Sequence, residues 1–342
     1  MPQHERSERQ TMAKCNIIPI FIPFSGCPVK CIYCNQNQIT GVKGLLSAKE
    51  VEERITTALE RNGSRPSEVA FYGGTFTMLA QEKQKALLSA VQTFIERGQV
   101  SGIRLSTRPE ALDDEAFEHL KAFGVKTIEF GIQSTDPEVL RSSMRGVDVH
   151  EMDRVVKSAK ASGIQVGLQQ MIGLPMDSFE KDLNTARWIV ERGDFVRIYP
   201  TVVIKGTELY TMYRQGLYKP LSLEEAIRRT AALLDAYEAA GLKVIRVGLP
   251  QMDRSAYVAG PYHDNFREFA ESKRRVNKIL ARYKSIQSIE GTGRLINYLV
   301  GPFGYGRKAL EKTYGPIAFR TVPGVGNLLR IDGEEKDTYA LN

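Results

Sequence analysis

The chain has 342 residues, 42% hydrophobic and 25% charged, which is enough apolar material to bury a core and argues against disorder. No apolar run reaches the roughly 18 residues that a bilayer crossing needs, and the polar start MPQHERSERQ lacks the apolar stretch of a secretory leader, so a cytoplasmic location without membrane contact is expected. The net charge of +7 permits an anionic partner such as nucleic acid without establishing one.

In chain order, short β-branched or apolar runs alternate with amphipathic stretches. A first strand is predicted over residues 17–24. Ser47 and Glu50 then form a capping box ahead of Val51, Ile55 and Leu59, which recur on one helix face, and Gly63 stands where a C-terminal cap belongs. Strands follow at 69–72, 103–106 and 127–133, and Asp136-Pro137 reads as an N-cap and first-turn proline. Further strands are predicted at 164–171, 195–204 and 243–247, with Ser222 and Glu225 opening a helix that ends near Gly241. Such alternation specifies βα units and a parallel sheet, either open and doubly wound or closed part-way into a barrel. Beyond about Pro250 it stops. The expected organisation is a polar tail (1–14), a βα domain (15–250) and a basic, glycine-rich extension (251–342) packed on it, whose GTGR, GPFGYGRK and VPGVG pieces are read as turns.

Three of the four cysteines, Cys27, Cys31 and Cys34, fall within eight residues just past the first predicted strand. That is too close and uneven for a secreted disulfide framework, and it suits metal ligation from a loop. A cubane iron–sulfur cluster takes four ligands, usually soft thiolates, so three leave one iron open to chelate a small molecule. A zinc site is the alternative, and it would need a fourth protein ligand that the four histidines do not supply nearby in sequence. Cys15, at the start of the strand, would lie about 25–30 Å from the strand's other end and is read as a buried small hydrophobe.

Polar residues interrupt the apolar runs at several predicted strand ends: Gly73-Gly74-Thr75, Ser106-Thr107-Arg108-Pro109-Glu110, Gln133-Ser134, and Gln169-Gln170 with Gly173-Leu174-Pro175. In a parallel βα fold that end is where ligands bind.

The cysteine spacing, with aromatic Tyr33 just before the last cysteine, resembles the signature of the radical S-adenosylmethionine superfamily. The resemblance implies a TIM-like partial (β/α)6 barrel and a [4Fe–4S] cluster whose open iron holds S-adenosylmethionine, cleaved after one-electron reduction to a 5′-deoxyadenosyl radical that abstracts hydrogen. It also implies a reductant such as flavodoxin or ferredoxin. The stretch from about Ile17 to Val247 is similar to the radical domain of the Elongator catalytic subunit, above all in the string RIYPTVVIKGTELY from Arg197 to Tyr210, and more distantly to oxygen-independent coproporphyrinogen oxidase. On the matching positions, the resemblance implies that Gly73, Gly74 and Thr75 take the methionine ammonium, that Gln133 and Gln169 take ribose hydroxyls, and that Arg145 pairs with the methionine carboxylate. Tyr33, Ser106 and Gly173 complete that cofactor set, Ser106 standing where these relatives usually carry a glutamate. The Elongator subunit continues into an acetyltransferase domain that this sequence does not match, so its acetyl-dependent uridine modification is not implied.

The stretch 266–284 holds seven basic and two acidic residues, with aromatics interleaved. It could bind RNA phosphates while rings stack bases, or it could be a solvated helix packed through Phe269, Val276, Ile279 and Leu280. Three readings remain open from sequence: a radical enzyme modifying RNA, one acting on a small molecule, and a binding protein that keeps the fold without turnover.

Overall fold

The alternation of side chains along each strand decides the architecture. In the computed structural model, which describes residues 15–40, 44–63, 65–323 and 329–333, the strands β1 (Asn16–Phe21), β2 (Ser67–Tyr72), β3 (Ile103–Thr107), β4 (Val125–Gln133), β5 (Gln165–Ile172) and β6 (Phe195–Pro200) pair in sequence order. The short β7 (Val203–Ile204) leaves the sheet, and β8 (Lys243–Val247) completes it as a seventh parallel strand beside β6. Every connection is a crossover, made by α1 (Gln36–Thr40), α2 (Ala48–Asn62), α3 (Gln81–Glu96), α4 (Asp114–Ala122), α5 (Pro137–Ser142), α6 (Val149–Ala161), α7 (Phe179–Val190), α8 (Glu208–Arg214) and α9 (Leu223–Ala239).

Successive side chains point to opposite faces of a strand. One face of this sheet presents Ile18, Ile20, Val69, Phe71, Leu105, Ile128, Phe130, Leu168, Val196 and Ile198, all fully or nearly buried in one core with helix residues such as Val51, Ile55, Leu88, Val91 and Val155. The other face carries Tyr72, Ser106, Glu129, Gly131, Gln169, Arg197 and Arg246, which line a cavity. The sheet is therefore apolar outside and polar within its curl, the arrangement of a partial barrel with its site at the strand ends.

The predicted strands, the capping box of α2 and the Asp136-Pro137 start of α5 are present. The predicted strand 195–204 divides, because the parallel pairing with β5 stops at Pro200 and Val203 turns away to pair antiparallel with β9 (Tyr257–Ala259). Cys15 is half-buried, not buried, with its sulfur 3.8 Å from Ser101 Oγ at the N-terminal end of β1. The tail 1–14 and most of the VPGVG piece lie outside the described residues. No helix among the described residues is long and apolar enough to cross a membrane.

The extension holds more structure than turns. After α10 (Phe266–Arg282) come β10 (Ser288–Gly291), α11 (Gly293–Val300), α12 (Tyr305–Tyr314), β11 (Ala318–Thr321) and β12 (Arg330–Ile331), around a separate core that includes Val276, Ile279, Ile289, Leu299 and Leu310. The glycines of GTGR and GPFGYGRK punctuate the ends of α11 and α12. The basic stretch is a packing helix: Arg274 ion-pairs with Asp235 and Glu238 of α9 and with Glu271, Arg275 pairs with Glu271, Lys278 with Asp235, and Lys273 with Glu224. Arg274 and Arg275 are buried. Of its predicted anchors, Phe269, Val276 and Ile279 are buried, whereas Leu280 is exposed. Lys273, Arg274, Arg275 and Lys278 are thus bound to carboxylates of their own fold, which supports the packing reading of this helix.

Behind β5 lies an acid pair, half-buried Asp177 and buried Asp182. Asp177 accepts the Gly173 and Ser178 amides at 2.7 and 2.8 Å, while Asp182, 2% exposed, accepts from Arg229 at 3.0 Å. Burial and the neighbouring Asp177 push Asp182 up to about 9, so the pair holds one proton. The unfolded chain releases that proton near its ordinary carboxyl pKa, so the stabilising contribution is full below about pH 4 and is lost progressively as pH rises to about 9. Asp182→Asn is expected to flatten this dependence and to gain on the order of 2 kcal/mol over wild type at pH 8, net of the lost Arg229 pair. Urea unfolding midpoints across pH 5–9 check it; parallel curves for the two proteins would refute the shared proton.

Candidate active site

The cysteine loop is built against the turn after β2. Ile22 and Phe24 donate backbone hydrogen bonds to Tyr72 and Gly73, and Thr75 donates one back to Ser25 at 2.9 Å. The approach is so close that a Cβ on Gly74 would stand 2.4 Å from the Ser25 carbonyl oxygen, and one on Gly26 would stand 2.1 Å from that of Thr75. The close approach at Gly74 is thus made by the cysteine loop itself. From the other side, the string 197–210 clasps the loop: Leu209 N–H donates to the Ile32 carbonyl at 2.8 Å, Asn35 Nδ2 donates to that of Lys205 at 3.2 Å, and Ile32 packs with Val203, Leu209 and Tyr218.

Each sulfur has a polar neighbour. Cys27 Sγ lies 3.3 Å from Thr75 Oγ1, Cys34 Sγ accepts from Gln36 Nε2 at 3.4 Å, and Cys31 Sγ meets Arg145 Nη1 at 3.7 Å and Arg108 Nη1 at 3.9 Å. Burial, then the Cys31 thiol, pushes Cys34 up to about 12. Among the described residues no three His, Cys, Asp or Glu side chains are gathered as a single ion would need. A cubane makes a looser demand, since each thiolate binds a different iron, and this donor set fits it.

The three cysteines, Tyr33, Gly73, Gly74, Thr75, Ser106, Gln133, Arg145 and Gln169 all line one cavity of about 530 Å³. Gly173 does not line it; its amide donates to Asp177 and its carbonyl accepts from Tyr218 Oη at 2.6 Å, which makes it a turn residue behind the site. Arg145 is no exposed helix-end charge. It is 3% exposed, donates to the Gly131 carbonyl and to Cys31, and leaves its Nε without a partner. Gln133, in the left-handed region at φ 69°, leaves its Oε1 unpaired, as Ser106 does its hydroxyl. Ser106, Gln133 and Arg145 thus line the cavity while each keeps a buried polar atom without a protein partner, a set that fits a polar ligand.

The cavity floor holds what sequence reading missed. Glu129, fully buried on β4, accepts from Tyr72 Oη at 3.0 Å, Arg104 at 3.1 Å, Arg197 at 2.8 Å and Gln169 at 3.4 Å, and Arg104 also pairs with Glu68 at 2.8 Å. Burial and Glu129 push the Tyr72 phenol up, so it stays protonated. The signal was available as a charged residue inside each of four apolar strands, Glu68 on β2, Arg104 on β3, Glu129 on β4 and Arg197 on β6. Two guanidiniums against two carboxylates balance the floor. The remaining lining includes Lys30, Arg145 and Arg246, none with a carboxylate partner among the described residues, so the cavity is net cationic.

Comparison with known proteins completes the picture. The sequence profile of the radical SAM superfamily matches residues 21–189, and that of the radical SAM C-terminal domain matches residues 193–278. An uncharacterized protein of Methanocaldococcus jannaschii, MJ0486, is 30% identical over 64% of this chain and 70% of its own length. The tRNA uridine(34) acetyltransferase of Methanocaldococcus infernus is 35% identical over 36% of this chain, but the match spans only 24% of that protein. In structure, the archaeal Elp3 of Methanocaldococcus infernus with residues 1–46 deleted superposes with a TM-score of 0.64 at 23% identity, over 80% of this chain and 65% of that one, a likeness of fold. The chain belongs to the radical SAM superfamily. It is an enzyme, and its cofactors are a [4Fe–4S] cluster and S-adenosylmethionine.

Proposed function

We propose that Cys27, Cys31 and Cys34 hold the cluster, that S-adenosylmethionine lies across the mouth of the half-barrel, and that the hydrogen abstracted belongs to a tRNA. When bound and reduced, the cluster supplies the electron that cleaves S-adenosylmethionine to methionine and a 5′-deoxyadenosyl radical. The protein's part is to bind, orient and exclude water. Gly73, Gly74 and Thr75 present backbone and a hydroxyl to the methionine ammonium beside Cys27, and Gln133 and Gln169 face the ribose. Arg145 holds Cys31 in place and offers its unpaired Nε to the carboxylate, where a guanidinium suits. Ser106 and Tyr33 close the lining on either side.

The observation that carries this reading is the set of enclosed, unpaired polar atoms on Ser106, Gln133 and Arg145, ringed around the same cavity as the three sulfurs. The tRNA reading is supported by the name of the acetyltransferase relative and by the cationic lining, which suits a polyanion. A cytoplasmic setting with a flavodoxin or ferredoxin as reductant suits three free cysteines.

The test is anaerobic reconstitution, then reduction with dithionite in the presence of S-adenosylmethionine, with and without bulk tRNA. The expected result is 5′-deoxyadenosine in both, increased by tRNA and accompanied by a changed nucleoside. No reducible cluster would refute the site; 5′-deoxyadenosine unmoved by tRNA would refute the substrate.

A further inference from the structure

Phe303 is the most exposed large apolar side chain among the described residues, at 76%. It stands between Gly301, which ends α11, and Gly304, which starts α12, and its own backbone lies in the left-handed region at φ 52° and ψ 26°. Non-glycine residues disfavour that region, and an aromatic ring in water forgoes burial. Glycine would relieve both penalties at this position, so neither the backbone nor the core explains the phenylalanine.

The ring is nevertheless supported on one side. His263 meets it edge-on with centroids 6.1 Å apart, and Phe269 lies 6.5 Å away, itself held edge-on by His263 at 4.9 Å and by Tyr305 at 5.2 Å. This support belongs to the mouth side of the half-barrel. Phe266, at the start of α10, packs against Gly248 just past β8, and the next residues, Leu249, Pro250 and Gln251, line the cavity. Beside it Lys308 comes within 4.0 Å of where a Cβ on Gly304 would stand, and neither Lys308 nor Lys312 of α12 has a carboxylate partner among the described residues, whereas Arg307 and Arg320 are paired with Glu311 and Glu290.

We infer that Phe303 is a stacking platform for an unpaired nucleobase of the RNA substrate, beside the cavity where the hydrogen is taken. A single supported ring in cationic surroundings fits a base next to phosphates, because every base has a π-face and stacking tolerates sequence. The inference rests on the tRNA reading above, and the experiment separates the two. Binding of bulk tRNA to the full chain is followed by fluorescence anisotropy over a salt series, for wild type, Phe303→Gly and Phe303→Trp, alongside thermal unfolding.

Phe303→Gly is expected to bind about tenfold more weakly at every salt concentration, as loss of one stacked base implies, with the salt slope unchanged because the phosphate contacts remain. It should unfold at or above the wild-type temperature, which excludes misfolding as the cause, and Phe303→Trp should bind at least as tightly as wild type. Wild-type affinity in Phe303→Gly overturns the inference and leaves the tRNA reading standing. Absence of salt-sensitive tRNA binding by the wild type overturns the tRNA reading, and the platform falls with it.

Discussion

Cys31→Ala is expected to yield no 5′-deoxyadenosine above the level of a protein-free control after reconstitution and reduction, because the cubane site proposed for the three thiols would lose one of its ligands. Cys31 is the informative choice because its sulfur is the one that Arg145 and Arg108 both address, at 3.7 and 3.9 Å. Removing it takes away a proposed cluster ligand and also the group those two guanidiniums meet. Conserving the charge partners separates the effects: Arg108→Lys keeps a cation near the sulfur and should retain the cluster's visible absorption with slower turnover. A Cys31→Ala protein that still cleaves S-adenosylmethionine would mean that the cluster is held elsewhere.

The second large effect is expected at the cavity floor. Glu129→Ala would leave Arg197 with no carboxylate and Arg104 with only Glu68, at a depth where Glu129 is wholly shielded from water. Breaking a buried pair by removing one partner costs about 3–5 kcal/mol, more than the pair's own net worth, because a charge is stranded. Urea unfolding of the apoprotein under reducing conditions checks the magnitude. Glu129→Gln should recover part of the loss, since the amide oxygen still accepts from Tyr72 and Arg197. Equal stability of wild type and Glu129→Ala would show that the network does not hold the half-barrel together.

Why some of this was legible in the sequence and some was not follows from the range over which each feature is specified. The strands and the cysteine loop are local: apolar runs, a capping box and three thiols within eight residues announce themselves. The Glu129 network was encoded as isolated charges in apolar strands, but its meaning depends on register, which sets Ser106 beside Glu129 and Gln169 beside Arg197 and so brings distant charges to one depth of the sheet. The packing of the basic helix was hidden for the same reason in reverse. Its positive charge is visible in one window, whereas the acids that satisfy it lie on α9, 39 residues away for Arg274 and Asp235. Glycines in the extension misled because helix punctuation and loops use the same residue. The role of the string 197–210 was the least legible, since nothing local says that it grips another loop.

That grip has a consequence for biosynthesis. The backbone oxygen that receives the Asn35 amide lies 170 residues downstream, on Lys205. At translation rates of about 5–20 residues per second, the loop bearing the three thiols leaves the ribosome roughly ten to thirty seconds before its clasp exists. During that interval the three thiols lack the contact that Asn35 makes with Lys205 in the finished fold. The clasp therefore sets the order of assembly, with final closure of the cluster loop deferred until the sixth strand and its following turn have been made.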